Sequence, residues 1–230
     1  MSDEFYIGWE PRAPRDTARF VRRWVLVLGI GMVGAVGFVA VRQAEFSPAT
    51  FMYGYDTVVT GRVVARPVPR IRTPDGGDQL LVGEGKHGAH RQVADLDGVT
   101  ASVTGSPIRR GRHRALEVHA IGGRREPGAP PPPPEALGTV TLRGEVVDGK
   151  CWLGVMNPGD GKVHRGCAAR CISGGAPPLF VTRDAVLLLI VPDTRALLPF
   201  VAEPVTITGE LQRDGQWLVI RTVPAAIHRL

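Results

Sequence analysis

The residues with the clearest capacity for chemistry lie in one segment, DGKCWLGVMNPGDGKVHRGCAARCISGGAPP, which begins at Asp148 and holds all three cysteines of the chain. It offers five donors for a soft or borderline metal: Cys151, Met156, His164, Cys167 and Cys171. Thiolate, imidazole and thioether together suit Cu(I), and suit zinc or iron–sulfur chemistry less specifically. His164 precedes Cys167 by three positions and Cys171 follows it by four. That spacing puts the three side chains on one face of a helical turn. Gly174-Gly175 and then Pro177-Pro178 would stop such a helix sharply. The expected cofactor is therefore copper, with haem or an iron–sulfur cluster behind it.

Two other chemistries stay open. A disulfide from Cys151 to Cys167 or Cys171 would pin the loop and contribute about 3 kcal/mol. It would leave one thiol unpaired, because the cysteine count is odd. Alternatively, Cys167 is a nucleophile whose thiolate is favoured by His164, Arg165, Arg170 and a helix N-terminus. The Cys-x-x-x-Cys pair with its histidine resembles the copper sites of Sco-type copper chaperones and the binuclear copper centre of cytochrome oxidase subunit II. The resemblance covers His164, Cys167 and Cys171, with the histidine ahead of the pair, and it implies copper. No Cys-x-x-Cys-His, Walker loop, dinucleotide fingerprint or zincin motif occurs.

The elements that must carry this segment read as β-structure. Glycine (29) and proline (20) are abundant, which favours short strands and turns. Arg124 to Glu135, RREPGAPPPPPE, reads as a polyproline spacer. It predicts a linker over 124–137 between a first module, 55–123, and a second, 138–230. The modules look like repeats. Val58-Val59-Thr60-Gly61-Arg62-Val63-Val64 matches Thr141-Leu142-Arg143-Gly144-Glu145-Val146-Val147. Ala101 to Gly105 matches Thr206 to Glu210 in the same way, each followed by a charged turn and a further strand. The expected fold class is mainly β: one N-terminal transmembrane helix followed by two small OB-like β-barrel modules. The interval from Gly144 to Gly209 is about twenty residues longer than that from Gly61 to Gly105, and such an enlargement marks a functional loop. In the shorter interval the counterpart is LLVGEGKHGAH, Leu80 to His90, with His87 and His90 as weaker ligand candidates.

Trp24 to Val41 is free of charge and long enough to cross a ~30 Å hydrocarbon core. It exceeds a signal-peptide core and no A-x-A site follows, which favours an uncleaved anchor. Arg12, Arg15, Arg19, Arg22 and Arg23 precede it. The positive-inside rule then keeps residues 1–23 in the cytoplasm and exports the rest, to the periplasm if the membrane is the inner one. Gly31, Gly34 and Ala35 cluster small side chains for packing against another membrane helix. The layout resembles the anchored haem chaperone of cytochrome c maturation, whose His-x-x-x-Tyr attachment motif is missing here.

Net charge is +6, and Arg109, Arg110, Arg112 and Arg114 form a basic turn for an acidic partner or anionic lipid. Aromatics make up 6% of the chain, too few for base stacking, so nucleic acid is not expected. The expected function is an accessory or assembly subunit of a membrane redox or respiratory complex, partnered by integral membrane subunits. The cysteine loop would contact or carry a redox or metal centre. The alternatives are a thiol-dependent envelope enzyme using Cys167 with His164, or a binding module with a disulfide-pinned loop.

Overall fold

The computed structural model describes residues 13–43, 48–127 and 132–230, with the side chains of 124–127 left aside. The expected cytoplasmic segment and linker therefore lie partly outside the described residues. The described residues fall into two compact units, one up to 43 and the other from 48 on.

The first unit is helix α1 (Arg15–Arg42), 28 residues without a buried side chain. It is long and apolar enough to cross a membrane, rising about 42 Å at ~1.5 Å per residue. Gly31, Gly34 and Ala35 lie exposed along it.

The second unit is β-structure. Strands β1 (Thr50–Phe51), β2 (Thr57–Val64), β3 (Arg70–Arg72), β4 (Asp78–Val82), β5 (Val99–Arg110) and β6 (His113–Pro127) form one sheet. In it β2 pairs β3, β3 pairs β4, β4 pairs β6 in parallel, β6 pairs β5, and β5 returns to β2. This closes a five-stranded barrel, with β1 added outside β5. Alternate residues turn inward, among them Val63, Ile71, Leu81, Val103, Leu116 and Val118, and fill it.

Strands β7 (Glu135–Asp148), β8 (Pro178–Val181), β9 (Val186–Ile190), β10 (Pro204–Asp214), β11 (Trp217–Arg221) and β12 (Ile227–Arg229) form the other sheet. The pairings run β7–β8, β8–β9, β9–β11 in parallel, β11–β10 and β10–β7, with β12 beside β10. The repeated glycines have one physical cause. A Cβ at Gly61 would strike the carbonyl of Arg72, and at Gly144 that of Val181. At Gly105 it would strike the carbonyl of Glu117, and at Gly209 that of Arg221. Each glycine lets a neighbouring strand approach where the sheet bends.

The two sheets share apolar packing. Val68, Leu80, Val82, Ile108 and Ala115 meet Val147, Trp152, Leu153, Leu179, Leu188, Trp217 and Val219 in one cluster. Trp217 donates from Nε1 to the Asp78 carbonyl at 3.2 Å. Beside it, buried Arg70 pairs with Asp78 at 3.2 Å and Asp214 at 2.5 Å, and Arg72 joins both carboxylates.

Strand order relocates the enlarged interval. The cysteine segment joins β7 to β8, the first two strands of its sheet, whereas residues 83–90 follow β4, the third strand of the barrel. The two segments are not counterparts. The true counterpart of the cysteine segment is the short connection 65–69 between β2 and β3.

Candidate metal centre

At the end of β7, Gly149 donates its N–H to the Pro177 carbonyl at 2.8 Å, drawing together the two ends of the inserted segment. The chain then makes one wide helical turn, Cys151–Val155, that buries Cys151, Trp152 and Leu153. After an exposed stretch, helix α2 (Arg165–Ser173) follows His164 and closes with the Gly174 N–H on the Arg170 carbonyl at 2.9 Å. Ala168, Cys171 and Ile172 form its buried face. Arg165 is fastened to Glu203 at 2.6 Å.

Asp148 organises the site. Its type beside glycine points to a turn residue, yet it is fully buried. Its Oδ1 accepts the Cys151 N–H at 2.8 Å and its Oδ2 lies 3.0 Å from His164 Nε2. A carboxylate accepts, so Nε2 is the donor in this contact. A carboxylate that orients a ligating imidazole through the far nitrogen is a common support of metal sites.

All three cysteines are free thiols. Cys151 Sγ lies 3.9 Å from Cys167 Sγ and 3.9 Å from Cys171 Sγ. A disulfide requires ~2.05 Å, so no disulfide is seen and the sulfurs sit in contact instead. Thiolates about 2.3 Å from one metal ion are separated by about 3.8 Å in tetrahedral geometry, which is close to the observed contacts. Two groups of donor atoms lie within 4.8 Å of one another: Cys151, His164 and Cys167, and Asp148, Cys151 and Cys171. Cys151 and Cys171 are buried, Cys167 is half-buried, and Met156 stands 45% exposed at the end of the turn. The structure thus brings together four of the five expected donors in a small volume.

The barrel contributes to this site. Lys86 donates from Nζ to Cys167 Sγ at 2.9 Å, a contact that raises the lysine pKa. The loop carrying it is fixed by Lys150, fully buried, which donates to the carbonyls of Gly83 and Gly85 at 2.7 Å each and pairs with Glu117. Gly88 donates to the Gly174 carbonyl at 3.0 Å. The thiols are not equivalent. Its hydrogen bond to Cys171, burial and Asp148 all push the Cys151 thiol up. Cys171 is drawn below the ordinary thiol value by accepting that bond, against burial and with help from Lys86.

The remaining candidates lie elsewhere. Arg110 stacks on Trp152, 4.3 Å from the ring centre, and Arg109 bonds Thr50 at 3.2 Å, while Arg112 and Arg114 are exposed. His87 and His90 line an open cleft of about 860 Å³ with Glu84, Arg91 and His119. The sequence reads Asp148 as a turn residue, and its place three residues before Cys151 is the local signal that points to a partner. Lys86 and Lys150 carried no sequence signal. Comparison with protein-family models, curated proteins and solved structures finds no match for this chain.

Proposed function

We propose that this chain is a membrane-anchored carrier of a soft-metal centre, built from two OB-like barrels and serving a membrane redox complex as an accessory or assembly subunit. In this reading α1 is a single-pass anchor in the inner membrane, with the N-terminus cytoplasmic and the β unit periplasmic. The observation that carries the reading is the sulfur geometry: Cys151 Sγ stands 3.9 Å from both other thiols, with His164 held by a buried carboxylate beside them. Soft thiolates with one imidazole favour Cu(I), and zinc is the runner-up ion. The OB-like assignment is supported by the cyclic strand order that both sheets share. The redox assignment is supported by the metal donors and the apolar helix together. It is tested by purifying the full chain from native membranes in mild detergent, then measuring bound metal and co-isolated proteins. Copper together with subunits of an integral membrane redox complex is the expected result. A metal-free lone monomer would overturn the proposal.

A second reading has its own observation. Cys167 is half-buried in the first turn of α2 and takes a hydrogen bond from Lys86, as a thiol nucleophile requires. It predicts rapid alkylation of Cys167 alone in metal-free protein.

A further inference from the structure

We infer that the β unit carries a lipid-contacting surface, on which Arg109, Arg112 and Arg114 bind anionic headgroups while Met52, Tyr53 and Tyr55 enter the headgroup boundary of the bilayer. This inference rests on the anchor part of the reading above and is independent of the metal centre.

The turn between β5 and β6 supplies the charge. Its sequence, RRGRHR over 109–114, contains no acidic residue. Arg109 and Arg114 stand directly opposite each other across the hairpin, so their side chains share one face, and like charges placed that way repel. Both are exposed, as is Arg112 at the tip. Arg110 faces the other way, onto Trp152, and is not part of the surface. An anion from outside the chain relieves the repulsion between Arg109 and Arg114.

Strand β1 places an aromatic edge beside that charge. Thr50 pairs with Arg109 and accepts a hydrogen bond from its Nε at 3.2 Å. Just beyond, Met52 donates its N–H to the Pro107 carbonyl at 2.9 Å, and Tyr55 donates its N–H to the Met52 carbonyl at 3.1 Å. That turn leaves Tyr53 74% and Tyr55 71% exposed, with Met52 exposed beside them. Phe51, packed on the cluster that both sheets share, holds the Tyr53 ring edge-on with 5.6 Å between ring centres. Rings that are apolar in body and polar at the tip favour the headgroup level of a bilayer.

Chain length and charge select lipid as the occupant. The residue steps from Arg42, the end of α1, to Thr50, the start of β1, span at most about 29 Å when fully extended. A bilayer that receives α1 is therefore within reach of this edge. Clustered arginines near an anionic leaflet are each attracted to it, and the tyrosines beside them suit its boundary.

The test uses the full chain in lipid nanodiscs of phosphatidylcholine, alone or mixed with phosphatidylglycerol. A photoreactive benzoylphenylalanine replaces Tyr53 or, as the control, exposed Val223 after β11. After illumination, mass spectrometry reads lipid adducts at each position. Position 53 is expected to give lipid adducts in the mixed nanodiscs and position 223 few or none. The yield at 53 should fall about fivefold or more in phosphatidylcholine alone, and equally in the mixed nanodiscs when Arg109→Gln, Arg112→Gln and Arg114→Gln are combined. Circular dichroism matching wild type shows that this surface variant is folded. No lipid adduct at 53, equal yields at 53 and 223, adducts at 53 to a second copy of the chain, or a yield that ignores both phosphatidylglycerol and the three arginines would overturn the lipid surface and leave the anchor reading intact. A chain that fails to enter nanodiscs and stays in solution without detergent would overturn both.

Discussion

The first connection of each sheet makes the instructive comparison. In the barrel, residues 65–69 pass from β2 to β3 with little more than buried Ala65 and Val68. In the other sheet, 149–177 pass from β7 to β8 and carry three thiols, a histidine and a helix. The strand order around them is the same. The side chains that could hold a metal therefore lie in one connection, above strands that share the same close-approach glycines. The barrel is not idle. Its own longer connection, 83–98, reaches across to place Lys86 on Cys167.

Breaking the packing between the sheets gives the largest expected loss of stability. Trp217 is fully buried in the shared cluster, so Trp217→Ala should cost about 3–5 kcal/mol in urea unfolding. An effect below about 1 kcal/mol would mean the two sheets unfold independently.

Next comes Asp214→Asn, which leaves buried Arg70 with Asp78 as its one carboxylate partner among the described residues and should cost about 3 kcal/mol at neutral pH. Despite burial, Arg70 and Arg72 hold the Asp214 carboxyl below its ordinary value. The folded pKa is thus lower than the unfolded one, so this contribution is present above the unfolded pKa and is lost as pH falls through the folded one. The gap between wild type and Asp214→Asn should close below about pH 4, as followed by unfolding at stepped pH.

His164→Ala should cost about 1–3 kcal/mol, because Asp148 stays buried with one partner fewer. It should also weaken copper binding, whereas a change on the short connection such as Val68→Ala should leave binding unaltered. The smallest effect is expected at the basic turn. Arg110→Ala should cost about 1 kcal/mol through its stacking on Trp152, while exposed Arg112→Ala should stay within about 0.5 kcal/mol.

What was legible in the sequence was local. The repeated glycines Gly61, Gly144, Gly105 and Gly209 sit in alternating strands, and the closeness they permit involves adjacent strands. Helix α2 was legible because the spacing of His164, Cys167 and Cys171 and the glycine stop are short-range signals. The clustering of thiols without a bond was not, since spacing alone suits a disulfide equally well. The contacts between sheets were hidden for another reason. Arg70 and Asp214 are 144 positions apart, and Lys86 and Cys167 are 81 apart. Neither pairing has meaning until both sheets are folded and docked. The same blindness made 83–90 look like the counterpart of the cysteine segment, because intervals between glycines do not reveal which strands they connect.

The central claim is that Cys151, Cys167 and Cys171 are metal ligands rather than bridge partners or solitary thiols. The direct measurement is a thiol count by mass spectrometry on the full chain isolated from membranes without reductant, alkylated natively and again after unfolding, with and without a chelator. The account predicts three thiols, protected in the native chain until the chelator is added. A single alkylatable thiol after unfolding, or three that react natively without chelation, would contradict it.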